Sequence, residues 1–419
     1  MKIKFPLYAQ ILIALGAGVL AGSITGAPEA GPGAAAFRLY EFLGTLFLNA
    51  LKLLIVPLIV SSMIHGIGNL GSGRDLGRMG FKTVLFYASS TLVAILAGLL
   101  LVNLLSPGMI DGEPVRDRIG LTTDSGRVEA GMAGKEAMRI EDFFLRMVPS
   151  NIVKAAAEGK MLGLIIFSLI FGFFMTRVPG RPGEIMKDFW KGIFETMMLV
   201  TEWIMLFAPF GIFGLVARVA ATTGLEAIQP LAWFMVTVIG ALGFHFLISL
   251  PLLLMLIGRI SPRSHYRGMA PALLSAFSTA SSSATVPITL DCLEKKAGVS
   301  NKTASFVIPL GATINMDGTA LYECVAVLFI AQAYGLDLSL GAQAGVVILA
   351  LLTSIGVAGI PAASLVAIII ILEAVGLPAE GIGLILAVDR ILDMCRTAVN
   401  VFSDSCGAVI IARTEGEKP

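Results

Sequence analysis

The chain has 419 residues, of which 56% are hydrophobic and only 14% charged, and its mean hydropathy is +0.87. A soluble domain cannot bury so much apolar surface, so the composition excludes a soluble protein. The net charge is +1 and the basic residues are scattered, which argues against a nucleic-acid partner. Apolar stretches of about 20 residues recur, and they favour helices that span a lipid bilayer over the shorter alternating strands of a β-barrel.

The first half of the chain is predicted to cross the membrane six times. Lys2 and Lys4 precede an apolar segment without a signal-peptidase motif, so we expect a retained first helix that starts in the cytoplasm. Basic residues recur after the second, fourth and sixth hydrophobic segments: Arg74, Arg78 and Lys82; Arg177, Arg181, Lys187 and Lys191; Arg259, Arg263 and Arg267. Because Lys and Arg collect in cytoplasmic loops, this alternation predicts six crossings that end inside the cell.

Two later segments break the alternation. The apolar segment 270–290 has basic residues on both sides, and its middle reads STASSSATVP, which is too polar for a helix exposed to lipid. The segment 341–375 has no Lys or Arg on either side, and its middle reads SIGVAGIPAAS. Each segment should therefore enter and leave on one side, as a hairpin.

The fold class follows from this count. The segment 303–334 should cross between the hairpins, and a last helix, about 382–411, should return to the cytoplasm. The sequence thus predicts an all-α polytopic membrane protein with eight transmembrane helices plus two re-entrant helical hairpins that form inverted repeats. This arrangement around a site at the membrane midplane is typical of secondary transporters.

The last helix carries a polar stripe in the stretch DRILDMCRTAVNVFSD. At about 100° per residue, its polar side chains fall within roughly 80° of one another: Asp389, Asp393, Arg396, Asn400 and Asp404. A charge at membrane depth costs about 2.5 to 3.5 kcal/mol, so the stripe should face a cavity or the protein interior. The alternative is an ion-pair seam that only holds helices together.

A second polar group interrupts an apolar helix in the stretch GATINMDGT, residues 311–319. Gly318 and the polar side chains of Asn315, Asp317 and Thr319 would free backbone carbonyls and supply oxygen ligands, which suit a small cation such as Na⁺. The alternative is a packing kink with one buried aspartate. The serine-rich tip, Ser281 to Ser283, has an ordinary turn as its alternative.

Together these groups indicate a cation-coupled carrier of an acidic amino acid. An arginine holds a carboxylate in a bidentate pair, an aspartate holds an ammonium group, and the remaining carboxylates need cations. An ion channel would need a continuous polar path with repeated weak sites. An intramembrane serine hydrolase would need a base, but His65, His245 and His265 lie near segment ends or in a loop. We therefore expect no enzymatic activity and no organic cofactor.

Five stretches carry a family resemblance: LKLLIVPLIVSSMI, STASSSATVPIT, GATINMDGTALYE, SIGVAGIP and DRILDMCRTAVNVFSD. They resemble the glutamate transporter family, the dicarboxylate/amino acid:cation symporters, from the first helix to the last. The resemblance implies a homotrimer in the cell (inner) membrane with cytoplasmic termini. Residues 1–258 would form mainly scaffold and trimerisation helices, with the third and sixth spans joining the transport part. Residues 259–419 would form a transport core that slides as an elevator.

The resemblance also implies a substrate site. Asp393 would hold the substrate ammonium group and Arg396 its side-chain carboxylate. The other implied substrate residues are Ser281, Ser282, Ser283, Thr319, Ile360, Thr397 and Asn400.

Three sodium sites are implied in the same way. The first uses Asp404 with carbonyls of Gly311, Asn315 and Asn400; the second uses Thr313, Ser354, Ile355 and Val357; the third uses Asn315, Asp317 and the hydroxyls of Ser89 and Ser90. At the third site, Phe86 is expected to replace a tyrosine found in sodium-coupled members.

Two departures from the family bear on coupling. Members place an extra arginine where this chain has Ala280 or Met394, and we expect Arg390 to supply that charge. Glu323 stands where sodium-only members tend to have glutamine. Burial beside a cation site disfavours its charged form, so Glu323 is a candidate for proton coupling. In the alternative, Glu323 is only an interior hydrogen-bonded acid and Na⁺ alone drives transport.

Overall fold

The structure is a computed structural model that describes residues 7–26, 32–68, 74–116, 148–158, 161–223, 228–356, 363–378 and 382–417. Nearly all of these residues are helical, apart from short connections and a small β-hairpin. In that hairpin β1 (Met109–Ile110) pairs antiparallel with β2 (Glu113–Pro114).

The structure describes helices in both halves of the chain, and the way they pack does not follow the halves strictly. Those of the first half are α1 (Leu7–Thr25), α2 (Pro32–Gly68), α3 (Arg74–Leu105), α4 (Ile152–Ala157), α5 (Met161–Met175), α6 (Arg181–Met205), α7 (Ala208–Thr223) and α8 (Ile228–Phe244). Helix α8 continues through a π-helical turn (His245–Ser249), the short α9 (Leu250–Leu253) and a second π-helical turn (Leu254–Gly258). Helices α1, α2, α5, α6 and α7 pack on one another.

The second half supplies the helices around the polar residues. They are α10 (Pro262–Thr279), α11 (Ser282–Lys296), α12 (Asn301–Ile314), α13 (Asp317–Ala333), α14 (Leu340–Gly356), α15 (Ala363–Val375) and α16 (Ile382–Thr414). Helix α13 lies at the centre, in contact with α3, α8, α14, α15 and α16. Every residue of α13 except Thr319 and Gln332 is buried, as expected of a helix that is surrounded on all sides.

Within the described residues, three helical stretches are long and apolar enough to cross a membrane: Arg78–Leu105, Gln229–Gly258 and Asn301–Ala333. A fourth is added if α6 and α7, which bend by 52° at their junction, count as one span. Other apolar helices are shorter, for example Gly163–Met175. The predicted class, a mostly helical polytopic membrane protein, agrees with this architecture, whereas the count of eight crossings stays a prediction.

Residues 270–290 form a helical hairpin. Helices α10 and α11 pack against each other, and only Ala280 and Ser281 connect them. Ala280 adopts a left-handed conformation with φ of 50°, which reverses the chain. The Ser281 Oγ then accepts a hydrogen bond from the N–H of Ala284 and caps α11. Helices α14 and α15 also pack together, but the connection between them, residues 357–362, lies outside the described residues.

The helix containing GATINMDGT is interrupted as predicted. Asn315 and Met316 leave the helical conformation, with ψ angles of 96° and 54°, and they separate α12 from α13. The break is deep in the protein, because Asn315 is 0% and Met316 is 5% exposed.

The end of α16 is tied to two other helices by a group that we call the C-terminal clasp: Arg78, Lys82, Ser300, Thr303, Glu415 and Glu417. The Glu415 carboxylate lies 2.6 Å from Arg78 Nη2 and 2.6 Å from Lys82 Nζ on α3. Glu417 accepts hydrogen bonds from the N–H and the hydroxyl of Ser300, at 2.9 and 2.6 Å. Ser300 is the N-cap of α12, so the acid also meets the positive end of that helix.

The clasp should make stability depend on pH. Hydrogen bonds from Lys82 and Arg78 lower the pKa of Glu415. The pKa of Glu417 is also lowered: burial acts to raise it, but the hydrogen bonds from Ser300 and Thr303 outweigh the effect of burial. A lowered folded-state pKa stabilises the protein above the ordinary value of 4.5, and that stabilisation is lost as the pH falls through the folded-state value.

We therefore expect the double variant Glu415→Gln/Glu417→Gln to unfold at a lower temperature than the parent at neutral pH in detergent. This difference in melting temperature should shrink as the pH falls below 4.5, the ordinary pKa of a glutamate side chain. Glu195→Gln is the control, because the Glu195 pair with Lys191 is exposed on one helix at 3.8 Å. Equal melting temperatures of the parent and the double variant at neutral pH would contradict the prediction.

Candidate functional site

The guanidinium group of Arg396 is the centre of the polar stripe on α16. Its side chain is 1% exposed, and Nη2 donates to Asp389 Oδ1 at 3.1 Å and to Asp393 Oδ1 at 3.0 Å. Nη1 donates to Ser364 Oγ on α15 at 2.8 Å, and Cζ lies 3.9 Å from the ring centroid of Tyr322 on α13. Four contacts from three helices thus fix the orientation of the guanidinium group.

Asp393 lies between two arginines. Its Oδ2 atom is 3.4 Å from Arg390 Nη1, one turn earlier on α16, while Oδ1 contacts Arg396. The Nε atoms of both arginines are buried without a hydrogen-bond partner among the described residues. These donors therefore remain available to a further acceptor.

Asn400 joins α16 to the start of α13. Its Oδ1 accepts a hydrogen bond from the N–H of Gly318 at 2.8 Å, and its Nδ2 donates to Thr319 Oγ1 at 3.1 Å. A Cβ atom on Gly318 would stand 2.8 Å from the Arg396 carbonyl oxygen. Glycine is therefore what allows the two helices to approach so closely.

A second polar cluster surrounds Asp317. Its Oδ1 accepts from Thr91 Oγ1 at 2.6 Å, and its Oδ2 accepts from Ser403 Oγ at 2.6 Å and from the hydroxyl of Ser90. His245 Nε2, in the π-helical turn after α8, lies 3.0 Å from the same Oδ2 atom. Asp317 and its four partners come from α3, the π-helical turn after α8, α13 and α16.

Asp404 lies beside this cluster at the break between α12 and α13. Asn315 Nδ2 donates to Asp404 Oδ1 at 2.8 Å and to Ser403 Oγ at 3.0 Å. A Cβ atom on Gly311 would collide with Asp404 Oδ1 and stand 2.5 Å from Tyr87 Oη, so both groups face the backbone of Gly311. In the described residues no three His, Cys, Asp or Glu side chains form a metal-binding group. The oxygen atoms here belong to carboxylate, amide and hydroxyl groups, which suit a hard cation.

The structure differs from the expectation on α3 by one residue. Ser89 is exposed and donates to the Leu85 carbonyl of its own helix, whereas Ser90 and Thr91 reach Asp317. Tyr87 likewise faces Gly311, so a tyrosine is present on the polar face of α3 beside Phe86. The spacing of Tyr87, Ser90 and Thr91, at i, i+3 and i+4, is the signal that identifies this face.

The other predicted substrate residues are placed unevenly. Ser282 is buried and Ser283 is exposed in the first turn of α11, and Ser281 caps that helix. The Thr397 hydroxyl donates to the Asp393 carbonyl at 2.8 Å, so it is bonded within its own helix. Ile360 lies outside the described residues.

The predicted second sodium site is described only in part. The hydroxyl of Thr313 donates to the Pro309 carbonyl and that of Ser354 to the Leu351 carbonyl, each within its own helix. Ile355 belongs to the last turn of α14, and Val357 lies outside the described residues.

Glu323 is fully buried on α13. Its Oε2 accepts a hydrogen bond from Thr353 Oγ1 on α14 at 2.8 Å, and its Oε1 has no hydrogen-bond partner in the described part of the chain. Thr353 and Ser364 were not predicted from the sequence. They contact Glu323 and Arg396 from the two arms of the α14–α15 pair.

Buried charges held at an interrupted helix, together with apolar helices long enough to cross a membrane, define the class of secondary membrane transporters. Comparison with known proteins agrees. The chain matches the model of the sodium:dicarboxylate symporter family over residues 7–414. The chain belongs to this family, so it is a membrane symporter and not an enzyme.

Several known proteins are similar to the chain over most of their length. The excitatory amino acid transporter 3 of Mus musculus is 38% identical over 423 residues, covering 89% of this chain and 79% of that protein. The proton/glutamate-aspartate symporter of Escherichia coli (strain K12) is 35% identical over 414 residues, with 99% and 94% covered. The proton/sodium-glutamate symport protein of Bacillus caldotenax is also 35% identical, with 99% and 96% covered.

Proposed function

We propose that the chain carries an acidic amino acid, aspartate or glutamate, in symport with Na⁺, H⁺ or both. The observation that carries the proposal is the buried Arg396 between Asp389 and Asp393, beside Asn400 and Thr319. Buried guanidinium, carboxylate and amide groups that lie side by side suit a substrate with two carboxylates and one ammonium group. The names of the relatives, glutamate and aspartate symporters, support this substrate class.

In the proposed site, Arg396 pairs with the side-chain carboxylate of the substrate and Asp393 with its ammonium group. Asn400, Thr319 and Thr397 complete the site on α13 and α16, and the tip of the α10–α11 hairpin, with Ile360 of the second hairpin, closes it. A substrate carboxylate that approaches Arg396 would meet the Nε donor that has no partner within the described residues. Arg390 would supply the second positive charge near Asp393.

The proposed Na⁺ sites lie around the break between α12 and α13. Asp404 with carbonyls of Gly311, Asn315 and Asn400 would form one site. Asn315 and Asp317 with the hydroxyls of Ser90 and Thr91 would form another, and Tyr87 lies close by. The site predicted second from the sequence would use backbone near Thr313, Ser354, Ile355 and Val357.

The proposed proton carrier is Glu323. An interior carboxylate with one hydrogen-bond donor and an Oε1 atom without a described partner is poorly compensated when charged, so a proton should bind there readily. Loading of the substrate would then require the protonated form.

The proposed transport cycle is an elevator in a homotrimer in the cell (inner) membrane, with cytoplasmic termini. Eight spans and two re-entrant hairpins would be divided at residues 258 and 259 into scaffold and transport core, with α3 and the α8 span joining the core. The packing of α3 and α8 against α13, apart from the group of α1, α2, α5, α6 and α7, supports this division.

Uptake of aspartate into proteoliposomes, with Na⁺ and pH gradients imposed separately, tests the proposal. We expect concentrative uptake of aspartate and not of succinate, because succinate lacks the ammonium partner of Asp393. If Glu323 carries the proton, an inward proton gradient should drive uptake, and Glu323→Gln should keep exchange but lose proton-driven net uptake.

Three outcomes count against parts of the proposal. Uptake that needs Na⁺, ignores the pH gradient and survives Glu323→Gln would remove the proton role. Equal transport of succinate and aspartate would contradict the placement of the ammonium group at Asp393. No uptake under any cation gradient would remove the carrier itself.

A further inference from the structure

The α14–α15 pair touches the buried charges of the core through one hydroxyl on each helix. Thr353 of α14, 1% exposed, lies 2.8 Å from Glu323 Oε2, and Ser364 of α15 lies 2.8 Å from Arg396 Nη1. The contact at Thr353 is of special interest, because it is the one hydrogen bond that the described residues offer to the Glu323 carboxyl group.

The Thr353 hydroxyl has more acceptors around it than it can serve at once. Oγ1 lies 2.8 Å from Glu323 Oε2, 2.8 Å from the Leu349 carbonyl oxygen and 3.2 Å from the Ala350 carbonyl oxygen. A hydroxyl carries one proton and can accept through its lone pairs. It therefore donates either to the carboxylate or to a carbonyl of its own helix.

This choice depends on the proton of Glu323. When Glu323 is charged, Thr353 donates to it in a charge-assisted bond. When Glu323 is protonated, its O–H group donates to Thr353 Oγ1, and Thr353 turns its own proton to the Leu349 carbonyl. Both states of the acid are hydrogen-bonded, and only the direction of the bond reverses.

The two bonds are unequal in strength. A hydrogen bond to a charged group contributes more than one between neutral groups, so the hydroxyl favours the charged acid. Without the Thr353 hydroxyl, Glu323 should hold its proton more firmly and release it only at a higher pH.

None of the other groups that the structure describes near Glu323 donates a hydrogen bond to its carboxyl group. The guanidinium group of Arg396 on α16 is already paired with Asp389 and Asp393. Cys324 follows Glu323 on α13. Ser90 and Thr91 of α3 and His245 of the π-helical turn after α8 contact Asp317 at the start of α13, and Ser364 of α15 contacts Arg396.

We propose that Thr353 is a positioning residue that sets how firmly Glu323 holds its proton and that ties this proton to α14, the first arm of the second hairpin. The inference rests on the proposed role of Glu323 in proton coupling. In this proposal, the hydroxyl of Thr353 on α14 adjusts the proton affinity of Glu323 on α13.

The test compares Thr353→Val, Thr353→Ser and Thr237→Val in proteoliposomes by the dependence of aspartate uptake on external pH. Valine matches threonine in shape but lacks the hydroxyl, so the midpoint of the profile should move to higher pH by about 0.5 to 1 unit. Serine should keep the parental midpoint. Thr237 is the matched control, a buried threonine of α8 whose hydroxyl, among the described residues, bonds to the Trp233 carbonyl of its own helix.

The Glu323→Gln variant separates the two levels of the argument. If it removes the pH dependence and Thr353→Val leaves the parental midpoint unchanged, the inference about Thr353 is overturned while the role of Glu323 stands. If the parent itself shows no pH dependence and Glu323→Gln transports normally, both are overturned. An equal shift in Thr353→Val and Thr237→Val would indicate a general packing effect and would also overturn the inference.

Discussion

Arg396→Ala should reduce the affinity for aspartate by about 1 to 3 kcal/mol or more, which is at least roughly 5- to 150-fold. The side chain is 1% exposed and its guanidinium group is oriented by Asp389, Asp393 and Ser364. Removal of this cation leaves a substrate carboxylate without its partner in a site that already contains negative charge. Isothermal titration in detergent, with Na⁺ held constant, measures the loss.

A second variant separates binding from folding. In Arg396→Ala the carboxylates of Asp389 and Asp393 lose a buried partner, which by itself destabilises the protein. The double variant Arg396→Ala/Asp389→Asn removes one of these charges, so it should recover thermal stability without recovering aspartate affinity. If either variant binds aspartate as the parent does and still excludes neutral amino acids, the carboxylate site is not at Arg396.

The sequence predicted the polar face of α16 because one regular helix contains all of it. A rotation of about 100° per residue brings Asp389, Asp393, Arg396 and Asn400 to one side, and no information from other helices is needed. The break at Asn315 was predictable for a related reason, because asparagine, aspartate and glycine residues all disfavour the continuation of an apolar helix.

The sequence prediction for the polar face of α3 is off by one residue, because it named Ser89 and Ser90 where Ser90 and Thr91 contact Asp317. Ser89 and Ser90 are both polar, and sequence order alone does not decide which serine faces the core. Only the helical spacing with Tyr87 favours Ser90 and Thr91, and the contact with Asp317 then distinguishes them from Ser89.

Contacts between distant helices were not predictable. Thr353 and Ser364 look like ordinary helical hydroxyls in the sequence, and the C-terminal clasp joins Arg78 to Glu415 across 337 positions. Such pairs depend on how helices pack, and local patterns do not record that packing. The same limit applies to the number of crossings, because helices in the described part of the chain that pass the length criterion are fewer than the hydrophobic segments.

Gly311 offers a sharp test of the proposed cation site at Asp404. Alanine normally stabilises a helix interior relative to glycine, by roughly 0.5 to 1 kcal/mol. At Gly311, however, the added methyl group would collide with Asp404 Oδ1 and stand 2.5 Å from Tyr87 Oη. Tyr87 cannot retreat freely, because its hydroxyl donates to the Val307 carbonyl at 3.0 Å, and Asn315 holds Asp404 at 2.8 Å.

Gly311→Ala should therefore raise the Na⁺ concentration needed for half-maximal aspartate binding by about tenfold or more, which corresponds to the 1 to 3 kcal/mol typical of overpacking. Gly243→Ala on α8 is the matched control, because a methyl group there meets no atom of another described segment within 4 Å. It should leave the Na⁺ dependence unchanged. The measurement is a titration of Na⁺ at fixed aspartate. If Gly311→Ala shows the parental Na⁺ dependence, the cation does not bind between Gly311 and Asp404, because the added methyl group would displace a cation coordinated by both residues.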